Sequence, residues 1–74
     1  MRSPSARKQP YQHLAGRMSM SMGGMINIIH DRDEDIYYIG FMLTIENIHE
    51  GGPRGCRTCY DEEDAYSELA EMAD

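Results

Sequence analysis

The stretch Ile36-Tyr-Tyr-Ile-Gly-Phe-Met-Leu-Thr-Ile-Glu-Asn-Ile48 constrains this chain more than any other. It is the one long, nearly uncharged run, and it is rich in β-branched and aromatic residues. Its isoleucines, Thr44 and the mid-run Gly40 disfavour a helix and suit a pleated strand. With period two it has two faces. Tyr37, Ile39, Phe41, Leu43 and Ile45 share one, all large and apolar. Ile36, Tyr38, Gly40, Met42, Thr44 and Glu46 share the other, which is mixed. The sequence therefore predicts a long central strand whose Phe41 face makes the core.

With 74 residues in all, the chain is one domain with a small core. Its charge is segregated. Residues 1–24 carry Arg2, Arg7, Lys8 and Arg17 and no acid, whereas residues 25–74 hold three arginines against all 13 acids. The low-complexity run Met18-Ser-Met-Ser-Met-Gly-Gly closes the basic part. Prolines, scattered polar residues and only Tyr11 and Leu14 as anchors predict a flexible basic arm over 1–24, in front of an acidic domain over 25–74. Deleting residues 1–24 is expected to leave the melting temperature nearly unchanged.

Met25-Ile-Asn-Ile-Ile-His30 reads as a first strand. Asp31 to Asp35 is polar and of hairpin-loop length, so the strand resuming at Ile36 is expected to pair antiparallel with the first. The alternating Asp31, Asp33 and Asp35 do not make a calcium loop. The sixth and twelfth positions, where a glycine and a bidentate acid belong, hold Ile36 and Met42. His49 to Gly55 is a turn, and Cys56 to Tyr60 a short third strand. Asp61 is a good N-cap, with Asp64 at the capping-box position and four acids on the positive end of the helix dipole. Tyr66, Leu69 and Met72 are the large anchors of the apolar stripe that follows, with fraying expected after Ala70. The predicted fold is α+β: a three-stranded antiparallel sheet with one C-terminal helix on one face, behind a disordered N-terminal arm. The other sheet face, with Ile36, Tyr38 and Met42, then has no cover.

No residue set points to catalysis. His13, His30 and His49 have no nucleophile at a telling spacing, and one sheet with one helix offers little concavity. Cys56-x-x-Cys59 lacks the further ligands of a zinc site, and on a strand residues three apart point to opposite faces. No metal and no cofactor are therefore expected. Two cysteines, no signal-peptide pattern and no membrane-length apolar run make a monomer of the reducing cytoplasm the expectation, with no membrane role. The acidic part disfavours direct nucleic-acid binding and favours a basic protein surface as partner, or mimicry of DNA. Tyr38 and Met42 on the open face, with Glu62, Glu63 and Glu68 on the helix, are the expected partner-binding residues.

Two resemblances bear on function. Gly55-Cys-Arg-Thr-Cys-Tyr-Asp-Glu-Glu-Asp-Ala65, leading into an amphipathic helix, resembles the strand-to-helix step of HicB-like antitoxins. That resemblance covers about twenty residues, here one residue shorter at the step and followed by no DNA-binding segment; it implies a module that neutralises a small basic toxin. The whole chain, with its basic start, hairpin sheet, acidic helix and lack of a catalytic set, resembles the small RNA-polymerase-binding transcription regulators of lytic phages of plant-pathogenic bacteria. That resemblance implies binding to host RNA polymerase near the N-terminus of its β′ subunit, inhibition of initiation, and antitermination, in the host bacterial cytoplasm.

Overall fold

The computed structural model describes residues 10–21, 23–49 and 56–73. Their order is β1 (Tyr11–Met18), β2 (Met25–Asp31), β3 (Ile36–Phe41), α1 (Ile45–His49), β4 (Arg57–Cys59) and α2 (Glu62–Ala73). The architecture is α+β, as expected, with an antiparallel sheet and a C-terminal helix. Among the described residues the sheet has four strands rather than three, in the order β1-β2-β3-β4. The additional strand is β1, from the stretch read as an arm. Residues 1–9 of that stretch, and most of the expected turn before Cys56, lie outside the described residues.

β1 pairs with β2 from Tyr11↔Asp31 to Met18↔Met25, with an irregularity between His13 and Ala15. β2 pairs with β3 from Ile26↔Phe41 to Asp31↔Ile36. Both begin where the sequence placed them, at Met25 and Ile36, although β3 ends at Phe41 rather than near Ile48. On the first sheet face Ile26, Ile28, Tyr37 and Ile39 pack beneath Ala65, Leu69 and Ala73 of α2, with Leu14, Ala15, Phe41, Cys59 and Met72 around them. The spacing of Ala65, Leu69 and Ala73 is four, one stripe of the helix. Small alanines let α2 lie close to the sheet. Tyr66, expected as an anchor, is exposed, and the helix continues past Ala70 to Ala73, which is buried.

The central strand ends earlier than its composition suggests. Met42 adopts a left-handed backbone, φ 56°, a conformation that costs a non-glycine residue of order 1 kcal/mol or more. Its N–H still donates to Met25 O at 2.8 Å, so the ladder is carried one step beyond Phe41 before the chain turns. Thr44 and Asn47 then cap α1 reciprocally: Asn47 N–H donates to Thr44 Oγ1 at 3.1 Å and Thr44 N–H to Asn47 Oδ1 at 2.9 Å. The turn carries Leu43, Ile45 and Ile48 to the second sheet face. There Ile29, Leu43 and Ile48 form a smaller core, flanked by Tyr11, Tyr38, Ile45 and Cys56. The expectation that Leu43 and Ile45 join the Phe41 face is thereby corrected, and so is the expectation of an uncovered second face.

Asn27 ties this second face together. Its Nδ2 donates to Leu43 O at 3.0 Å, and its Oδ1 meets His13 Nε2 at 3.0 Å. Gly16 leaves the room, because a Cβ there would stand 2.8 Å from Asn27 Oδ1.

Because β1 contributes Tyr11, Leu14 and Ala15 to the two cores, the deletion expected to be silent is now expected to be severe. A chain beginning at Met25 leaves the β2 edge unpaired and should lose cooperative thermal unfolding, or melt at least about 10 °C lower, since about 1 kcal/mol moves a domain this small by roughly 4–8 °C. An unchanged melting temperature in circular dichroism would remove β1 from the fold.

Candidate functional site

Two acidic segments far apart in the chain meet at one end of the sheet. The first is the turn between β2 and β3. Asp31, itself buried, accepts the N–H groups of Asp33 at 3.0 Å and Glu34 at 3.2 Å through Oδ1. This Asx-type closure leaves Asp33, Glu34 and Asp35 pointing outward. Asp35 completes the turn with φ 58°, a conformation that aspartate tolerates better than most residues. The second segment starts α2. Asp61 is the N-cap: Glu63 N–H donates to its Oδ2 at 3.1 Å, and Ala65 N–H to its carbonyl at 3.1 Å. The pairing Tyr37↔Cys59 sets this start beside the first turn.

Tyr37 lies where the two segments meet. Its ring stacks on that of His30, its cross-strand partner, at 4.1 Å between centroids and 6° between planes. His30 Nε2 in turn meets Asp35 Oδ1 at 2.8 Å. Burial, and then the charges of Asp35, Glu62 and Asp61, push the Tyr37 hydroxyl above its ordinary pKa of 10.0. That set of neighbours shows the turn and the helix start acting on one point. Tyr60, the residue before Asp61, is 74% exposed.

Further along α2 the charge is partly answered. Arg57 of β4 pairs with Glu68, and its Nη1 lies 3.6 Å from Glu71 Oε1. The hydrogen bond and charge of Glu68, with Glu71, raise the guanidinium pKa further. Within α2, and among the described residues, the acids without an ion pair are those of the helix start, Glu62, Glu63 and Asp64.

The expected partner-binding residues do not form one patch. Glu62 and Glu63 are exposed at the acidic end, while Glu68 is half-buried in its ion pair. Tyr38 is half-buried in the second core, and Met42 is exposed at the opposite end of the sheet. Sequence reasoning missed Tyr60 and the convergence with Asp33, Glu34 and Asp35. The signal was present: antiparallel pairing of the strand from Ile36 with a strand ending near Tyr60 puts those residues side by side. Cys56 and Cys59 are free and pack on opposite faces, as strand geometry requires, and burial raises both thiol pKa values. Among the described residues no three His, Cys, Asp or Glu side chains gather closely enough to hold a metal ion. No helix among them is long and apolar enough to cross a membrane.

Compared with known protein families, curated proteins and solved structures, the chain matches none.

The tyrosines give a pH prediction. Tyr38 is also raised, by burial first and then by Asp31, Tyr11, Cys56 and Glu34. An acid whose pKa is higher in the folded state binds more protons there than in the unfolded chain. Its stabilising effect is complete below the ordinary value and is lost as pH rises through the folded one. Urea midpoints should therefore fall as pH rises above about 10, with the thiols contributing the same sign from about 9. Tyr37→Phe should flatten part of that fall, and an identical alkaline profile in the variant would count against the assigned surroundings of Tyr37.

Proposed function

We propose that this chain is a non-enzymatic regulator that docks its acidic end onto a basic surface of a larger protein. The observation that carries this reading is the meeting of the Asp33–Asp35 turn with Asp61, Glu62 and Glu63 at one end of the sheet, where Tyr60, next to Asp61, is exposed. An exposed tyrosine next to a run of acids suits an interface: the ring supplies an anchor that loses little conformational entropy, and the acids steer approach. The field of such an end favours a cationic partner and disfavours nucleic acid.

The target is bacterial RNA polymerase, near the N-terminus of β′, with inhibition of initiation and antitermination as the consequence. That choice of target rests on the whole-chain resemblance to phage transcription regulators. The acidic end supports it in one respect, since a nucleic-acid-handling enzyme presents the basic surfaces such an end fits.

Real-time binding to purified bacterial RNA polymerase across a salt series tests both levels of the proposal. Association should slow roughly tenfold or more from low salt to physiological ionic strength, where screening acts over about 8 Å. The Glu62→Lys, Glu63→Lys double variant should slow association with little change in dissociation, whereas Tyr60→Ala should speed dissociation. Promoter-dependent transcripts should fall in parallel. Salt-independent binding would refute the acidic docking surface. Absence of any complex with polymerase, together with capture of a small basic toxin, would replace this target with that of the HicB-like resemblance.

A further inference from the structure

The end of the sheet opposite the acidic turn carries a different chemistry. Met18 and Met25 are register partners and end the β1–β2 ladder, so their side chains share one sheet face. Met25 Sδ lies 3.4 Å from the point where a Cβ on Gly16 would stand, which fixes its direction along that face. Met42 adjoins Met25 on the next segment, its N–H donating to Met25 O. The β1–β2 connection is held at its base: Ser19 is buried, its N–H donates to Gly24 O at 2.7 Å, and its carbonyl accepts the N–H of Gly23 at 2.9 Å. Met18 and Met20 flank that fixed residue. Exposure is 55% for Met18, 88% for Met20, 38% for Met25 and 65% for Met42. Four thioethers thus stand at the surface at one end of a small sheet.

Thioethers are soft, neutral donors that select univalent copper over hard or borderline ions. Metal–sulfur bonds of about 2.3 Å suit donors on side chains whose Cβ atoms stand about 5 Å apart across a register pair. Each methionine has three rotatable bonds with which to converge. His13 Nε2 also lies near Gly16, 3.6 Å from the same Cβ position. It is not available as a donor atom. The amide nitrogen of Asn27 is engaged with Leu43 O, so the oxygen of that amide faces His13, and Nε2 carries the proton. With Nε2 held by Asn27, the donor set proposed is sulfur alone. We propose that Met18, Met25 and Met42, with Met20 from the connecting loop, form a thioether site for a soft univalent cation of the Cu(I) class.

Because Cys56 and Cys59 are also soft donors, the test uses the full chain carrying Cys56→Ser and Cys59→Ser, with Ag(I) as a redox-inert probe. Calorimetry should show saturable binding, and methyl NMR should show shifts at Met18, Met20, Met25 and Met42 while the core Met72 stays in place. Thioethers have no proton to displace, so affinity should change by less than about twofold between about pH 7 and about pH 5, unlike a histidine or thiolate site. Adding Met18→Leu and Met25→Leu, which keep apolar bulk, should weaken binding roughly tenfold or more, a loss that even outer-shell changes cause at metal sites. An amide spectrum confirms that the fold is kept. No saturable binding, an affinity that drops steeply with acid, or full binding in the leucine variant would each overturn the site.

Discussion

A strand buried on both faces is the constraint on which this structure depends. On β2, Ile28 and Ile29 are neighbours in sequence with opposite directions, and each is at most 1% exposed. Two faces of one strand therefore need two covers, and a short chain has to supply both. α2 covers the first with small residues and Leu69; α1 and Leu43 cover the second. Full burial of an isoleucine is worth roughly 1.5–3 kcal/mol, and a chain this small has a net stability of only about 5 kcal/mol. Neither cover is dispensable on that scale. Asn27 shows the same constraint in polar form. It sits between Ile26 and Ile28 but on the other face, and its amide is satisfied at both ends, by Leu43 O and by His13. Leaving either end unmatched costs more than the bond itself contributes.

Parts of this arrangement were legible from residues alone, for identifiable reasons. Met25 to His30 and Ile36 to Phe41 are rich in β-branched and aromatic residues and flank a polar turn, and Asp61 carries the chemistry of an N-cap. The covering helix follows from its apolar stripe, although Tyr66 and Leu69 look equally apolar as letters while Leu69 alone is inward. β1 was hidden because its irregularity at His13–Ala15 breaks the alternation, leaving Leu14 and Ala15 both half-buried next to each other. Its basic, proline-flanked setting further reads as an arm. α1 was hidden inside an apolar run. Nothing in the identity of Met42 signals a left-handed backbone, and only that conformation ends the strand and sends Leu43 to the opposite face. Of the expected site, Glu62 and Glu63 were legible because helix position is local. The convergence of the helix start with the Asp33–Asp35 turn was legible only once the last strand is paired with the one from Ile36, because it depends on register.

The distribution of chemistry also changes once β1 belongs to the sheet. Along the chain the contrast is a basic start against an acidic remainder. In the fold it becomes a contrast between two ends. Antiparallel neighbours joined in order place alternate connections at alternate ends. The β2–β3 turn and the start of α2 share one end, and both are acidic. The β1–β2 connection and the exit from β3 share the other, and both carry methionine. Arg57 holds Glu68 and Glu71 of α2 against β4, so the charge of the helix does not spread evenly toward the second end. The acidic surface and the methionine-bearing surface are therefore separated by the length of the strands. Tyr37 near one end and Ile26 near the other belong to one core, so a substitution in that core reaches both ends, whereas exposed substitutions at the two ends share no partner and are expected to add.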